Sequence, residues 1–138
     1  SIAGSGAAGG LSAAFLPFYD TTIKSGISFI FDEINLEENI KEADVIITGE
    51  GKIDGQTLSG KAPFGVVQLA KKHNKTVIVL CGKLTYEGKV LSEYGATVIK
   101  SIHDPNVPWD DAMMAADYTS ERLKQTLQQL SPYFKNSI

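Results

Sequence analysis

Three short runs rich in β-branched residues, at about 44–48, 76–81 and 96–102, are each separated by a segment long enough to form a helix. Strands joined that way cannot be hairpin partners; they pair in parallel through right-handed crossovers. The fold class is therefore α/β, a three-layer arrangement in which helices cover both faces of a mostly parallel sheet of at least three strands. Three parallel strands make a thin sheet. Further strands are expected upstream of Ser1 or in a partner chain, and the glycine-rich opening directly after Ser1 reads as the interior of a longer protein.

The helical segments follow from periodicity and punctuation. The small apolar stretch 11–19 suits a buried helix beginning within the glycines and ended or bent by Pro17. Ser25 can cap a helix from Gly26 to about Asn35, with Ile27, Ile30, Phe31 and Ile34 on one face. A further turn, 36–43, places Leu36, Ile40 and Ala43 together. Pro63 fits the first turn of a helix reaching about His73, whose last turn, Lys71-Lys72-His73, complements its dipole. The strand at 76–81 is closed by Gly82, a helix over 87–94 is stopped by Gly95, and a long amphipathic helix runs from Asp110 to about Leu130. The expected organisation is a glycine-rich and helical segment, 1–43, followed by a Rossmann-like α/β portion, 44–138.

Thirteen basic against sixteen acidic residues give a net charge of −3, and the lysines are scattered, so nucleic acid is not the implied partner. No apolar run reaches the ~20 residues of a membrane span and the first residues lack a basic leader, so no membrane partner and a cytoplasmic location are expected. The single Cys81 lies inside Val77-Ile78-Val79-Leu80-Cys81, where a small core residue is the expected role.

The chemistry is concentrated after the first strand. From Thr48 to Lys61 the chain carries glycines, two acids, two lysines and several hydroxyls, at the carboxyl end of a strand where open α/β sheets bind ligands. Glu50 and Asp54 could hold magnesium (Mg2+) or take a proton from a substrate hydroxyl; equally, they could pair with Lys52 and Lys61, or Asp54 could form a local turn with Gly55. Thr48, Gln56, Thr57 and Ser59 could bond substrate or cap the next helix. Gly55 to Lys61 has P-loop spacing, but Ala62 stands where the magnesium-binding hydroxyl belongs. Gly4, Gly6 and Gly9 match a dinucleotide fingerprint without its preceding strand; free amides around Gly4, Ser5, Gly6, Gly9 and Gly10 could hold an anionic oxygen, or the glycines could simply allow close packing. His103-Asp104 follows the third strand and could approach the same edge. Trp109 is expected to anchor the last helix.

Two segments resemble glycerate kinase of the first type (type I). They are Gly6-Ala-Ala-Gly-Gly-Leu11 and Asp44-Val-Ile-Ile-Thr48-Gly49-Glu50-Gly51-Lys52-Ile53-Asp54-Gly55-Gln56-Thr57-Leu-Ser-Gly60-Lys61-Ala-Pro63-Phe-Gly65-Val66. The resemblance covers essentially the whole chain. It implies ATP-dependent phosphorylation of D-glycerate to phosphoglycerate with ATP and Mg2+, by a protein of two α/β domains of which this chain is the C-terminal part. It also implies a missing N-terminal part, in the same enzyme or another chain, as a partner, with 1–43 bordering the interdomain cleft. Asp54, Glu50 and Lys61 are then the expected catalytic residues, Glu50 and Asp54 the expected magnesium ligands, and Gly4, Ser5, Gly6, Gly9, Gly10, Thr48, Lys52, Gln56 and Thr57 the expected substrate- and phosphate-binding residues. A folded, non-catalytic fragment that binds an anion or pairs with the missing half is the alternative, and a dehydrogenase reusing the loop a more distant one.

Overall fold

The computed structural model describes Gly4 and residues 6–20, 22–110 and 116–134, which divide into two compact units, Ser1–Leu36 and Glu37–Ile138. In the first unit, α1 (Ala7–Phe15) starts inside the glycine run, and Pro17 follows its end. Gly9 and Gly10 take φ of +67° and +88°, a backbone that side-chain-bearing residues rarely adopt. Helix α2 (Gly26–Glu33) begins after an extended Ser25, whose hydroxyl, contrary to expectation, makes no capping bond. None of its residues is buried, and Ile30 and Ile34 of the predicted face are about half exposed.

The second unit is built around a sheet of order β1-β2-β3, comprising β1 (Val45–Ile53), β2 (Thr76–Leu84) and β3 (Val98–Ser101), all parallel. The central strand has partners on both sides, and Val77 to Cys81 are buried without a break, as expected of a strand covered on both faces. Alternation divides these residues between two layers. On one side Ile78 and Leu80 form a core with Ile102 and Leu130, packed by Leu123 and Leu127 of α6 (Ala116–Gln129). The opposite side is covered by α4 (Ala62–Lys72), which packs on β1 and β2 and buries Pro63, Val66, Val67 and Ala70. This is the three-layer α/β fold expected from the sequence.

Two strand boundaries differ from expectation. Strand β1 does not stop near Thr48; it continues through Gly49, Glu50, Gly51 and Lys52 to Ile53, and β2 passes Gly82 to Leu84. The two extensions pair with each other, Lys52 with Lys83 and Ile53 with Leu84, and backbone ladders need no apolar side chains to form. Between β2 and β3 the predicted helix is divided into a 3-10 turn, Glu87–Val90, and a short α5 (Leu91–Tyr94). Gly88 is pressed against Ile53 so closely that an added Cβ would lie 2.5 Å from the Ile53 carbonyl oxygen. Residues 111–115, the predicted first turns of the last helix, lie outside the described residues.

Helix α3 (Leu36–Glu42) buries Ile40 and is tied to the end of α4 by Glu37, which meets Lys72 Nζ at 2.6 Å and His73 Nε2 at 2.7 Å. The Lys72 ammonium first, then His73, lowers the Glu37 carboxyl from its ordinary 4.5 to about 2. A depressed carboxylate stabilises the fold above its unfolded value and ceases to do so as pH falls through the folded one. Glu37→Gln should therefore lower Tm fully above pH 4.5, with the difference from the parent closing as pH approaches 2; a difference independent of pH would show that the charge is not what matters. Truncating the central core residue Ile78, by Ile78→Ala, should cost about 2–5 kcal/mol in urea unfolding.

Candidate functional site

The polar segment after Thr48 is ordered by its own backbone. Asp54 Oδ1 accepts the Gln56 N–H at 3.1 Å, and Thr57 Oγ1 accepts the Asp54 N–H at 3.1 Å, a reciprocal cap on the 3-10 helix Gly55–Ser59. Gly60, at φ +94°, closes it, and α4 follows directly with Pro63 in its first turn. The N–H groups of Thr57 and Lys61 bond to Asp54 and Thr57 carbonyls. Amides turned inward in this way do not form the open phosphate cradle of a P-loop, in agreement with Ala62 at the hydroxyl position.

Asp54 also pairs with Lys52 at 2.9 Å, and its side chain is 16% exposed against 52% for the lysine. The Lys52 hydrogen bond chiefly, with help from the Lys61 charge and the Gln56 N–H, holds the Asp54 carboxyl below its ordinary value. Both structural readings of Asp54 are thus realised: it caps a turn and pairs with a lysine. An ionised, weakly basic carboxylate is better matched to holding a cation than to removing a proton. Thr57 is fully buried beneath this turn.

A carboxylate that sequence reasoning missed stands beside it. The Glu87 Cβ lies 3.6 Å from where a Cβ on Gly55 would sit, and Glu87 is held below its ordinary value by its own N–H and the Thr85 hydroxyl, with Asp54 opposing. No spacing in the sequence links 87 to 54, because the extension of β2 is what carries it there.

On the α6 side of the same strand ends lies a cavity of about 490 Å³. Its floor includes Gly49, Gly51 and Gly82, and Trp109, His103 and Tyr118 stand around it. Trp109 meets the His103 ring edge-on at 4.9 Å, and a Cβ on Gly82 would lie 3.1 Å from Trp109 Cη2 and 2.8 Å from the Gly51 carbonyl oxygen. Tyr118 Oη accepts the Asp104 N–H at 2.8 Å. Arg122 Nε donates to the Ile102 carbonyl at 2.8 Å, fastening α6 to the end of β3. Cys81 also borders the cavity, but its thiol is buried and pushed up to about 11 by burial, so it is a core residue as expected.

Among the expected site residues, Lys52, Asp54 and Lys61 form one electrostatic group at the end of β1, where the Lys61 charge reaches Asp54. Thr48 and Glu50 border the cavity together with His103. Gln56 contributes its backbone to the Asp54 turn. Gly4, Gly6, Gly9 and Gly10 belong to the first unit, Gly6 preceding α1, and Ser5 lies outside the described residues. Among the described residues there is no group of three or more His, Cys, Asp or Glu suited to a metal. The pair expected for magnesium needs fewer, since that ion is commonly held by one or two carboxylates and by substrate phosphates. No described helix is long and apolar enough to cross a membrane.

The chain is similar to known proteins. The model of the glycerate kinase family matches residues 1–134. The chain is 40% identical over 115 residues to glycerate 2-kinase of Escherichia coli K12, covering 83% of this chain and 30% of that protein. It is 35% identical over 137 residues to glycerate kinase of Halalkalibacterium halodurans, covering 99% and 36%. A crystal structure from Salmonella typhimurium LT2, provisionally assigned as glycerate kinase 2, superposes with a TM-score of 0.61 at 34% identity, covering 95% of this chain and 34% of that one. The chain thus spans about a third of the length of these relatives.

The Thr57 cap is open to direct test. Thr57→Val leaves the Asp54 N–H without its partner, and chemical denaturation should show a loss of about 1–3 kcal/mol, whereas Thr57→Ser should retain most of the stability.

Proposed function

Because the chain belongs to the glycerate kinase family, we propose that it supplies part of the phosphoryl-transfer site of an enzyme that phosphorylates D-glycerate with ATP, as the C-terminal part of that enzyme. The observation that carries this reading is the grouping of Lys52, Asp54 and Lys61 where β1 ends and α4 begins. Phosphoryl transfer depends on positioning and on neutralising charge more than on covalent chemistry by the protein. Lys52 and Lys61 supply cations for the glycerate carboxylate or the ATP phosphates. Asp54, kept ionised by Lys52, supplies a carboxylate, and Glu50 assists it. Magnesium, when bound, would neutralise phosphate charge; Asp54 and Glu50 are the residues to hold it. A role for Asp54 as base toward the glycerate hydroxyl is less favoured by its lowered pKa.

The rest of the reading concerns segments with separate parts to play. The amides around Gly4, Ser5, Gly6 and Gly9 hold an anionic oxygen, Gly10, whose own N–H donates to the Gly6 carbonyl, serving only to shape that loop, and Thr48, Gln56 and Thr57 shape the substrate side of the turn. Segment 1–43 borders the cleft between domains, and 44–138 carries the α/β portion. D-Glycerate, ATP and the remaining part of the enzyme are the partners.

Asp54→Asn is a clean test, because asparagine is as good a capping residue as aspartate and the substitution removes only the charge. In the complete protein, turnover of D-glycerate should fall at least ~100-fold with little change in Tm. Near-normal turnover would remove Asp54 from the mechanism. ADP release measured for this chain alone and mixed with the remaining part separates an autonomous kinase from a shared site: turnover only in the mixture is the expected result.

A further inference from the structure

We propose that the cavity between the sheet and α6 holds the purine ring of the nucleotide, an assignment that rests on the kinase reading only for its choice of ligand. The cavity's volume, about 490 Å³, lies within the range of small-molecule sites, and it stands at the carboxyl ends of parallel strands. Its shape suits a flat ring. Gly49, Gly51 and Gly82 place bare peptide planes on the floor, and a Cβ at Gly82 would crowd both Gly51 and Trp109. Trp109 and His103 provide aromatic surface, for which an offset or edge-on ring is a favourable neighbour.

Its chemistry chooses between the parts of the two substrates. Among the described residues no lysine or arginine lines the cavity, and Glu50 is the one acidic residue there. A phosphate or the glycerate carboxylate would enter with no described cationic side chain to meet it, which is costly. A neutral ring bearing an amine meets no such penalty. The cations begin one residue past the glycines: Lys52 follows Gly51, Lys83 follows Gly82, and the two lysines are register partners on β1 and β2. Lys83 Nζ is 5.8 Å from the Trp109 ring centroid. From Gly51 to Asp54 an extended strand spans roughly 10 Å, so a ring held over the glycines would direct its phosphates toward Lys52, Lys83 and Asp54.

Photolabelling the complete protein with an azidoadenine analogue of ATP tests this. The label should fall within 102–123, in the peptide carrying His103, Trp109 and Tyr118, and excess ADP should prevent it. Thr119, which lines the cavity from the exposed face of α6, can be enlarged without disturbing the core. Thr119→Phe should raise KM for ATP by about tenfold while KM for D-glycerate stays within about twofold. Labelling outside the cavity peptides, or an unchanged KM for ATP in Thr119→Phe, would overturn the assignment. Labelling in the cavity without any turnover of D-glycerate would leave the purine site standing and discard the glycerate kinase reading; turnover with labelling elsewhere would do the reverse.

Discussion

The second unit depends on one strand that has no exposed face. Val77 to Cys81 are buried between α4 on one side and the Ile78, Leu80, Ile102 and Leu130 core on the other, and β1 and β3 take up both backbone edges. Such burial leaves little latitude in register, because a one-residue slip would exchange the two layers of side chains. With the register of β2 set, those of β1 and β3 follow, and all three strands point their carboxyl ends the same way. The polar residues of the chain collect there as a consequence of parallel topology.

Beyond Ile47, β1 has few apolar residues of its own and keeps its ladder to β2. Its alternation then serves two purposes at once. Ile47, Gly49 and Gly51 share the face on which α6 packs, and the absence of side chains at the glycines leaves room for a cavity. Lys52 and Asp54 continue past that floor into a turn whose amides are used internally, so what they offer is side-chain charge. The floor of an aromatic hollow with no described lysine or arginine and a charged strand end thus follow one another along β1, and that is the division a nucleotide itself has between base and phosphates.

Much of this frame could be read in advance from particular residues. The unbroken run at 77–81 identified the central strand, Pro63 the start of α4, and Gly95 the end of α5, because each acts through local geometry or through burial that a neighbour of any identity would satisfy. The extension of β1 could not be read, since Gly-Glu-Gly-Lys has no strand signature and is extended only by pairing with Leu80 to Lys83. Glu87 and Tyr118 were missed for a related reason: one lies in the crossover between β2 and β3 and the other on the helix after β3, and no spacing between positions in the chain encodes their approach to the strand ends. Trp109, expected as an anchor for the last helix, packs over Gly82 beside His103, a placement that no local pattern specifies.

By itself, the order of residues determined the α/β class, the parallel pairing and the segment in which the chemistry is gathered, all consequences of periodicity and of short-range chain geometry. Only the tertiary structure decided that Asp54 is tied to Lys52 and Thr57, that Glu87 joins them, and that three glycines from two strands form a floor beneath an aromatic wall. The first is a choice among local alternatives that the sequence left open, and the other two depend on distances between residues remote in the chain, which burial of β2 sets and local sequence does not.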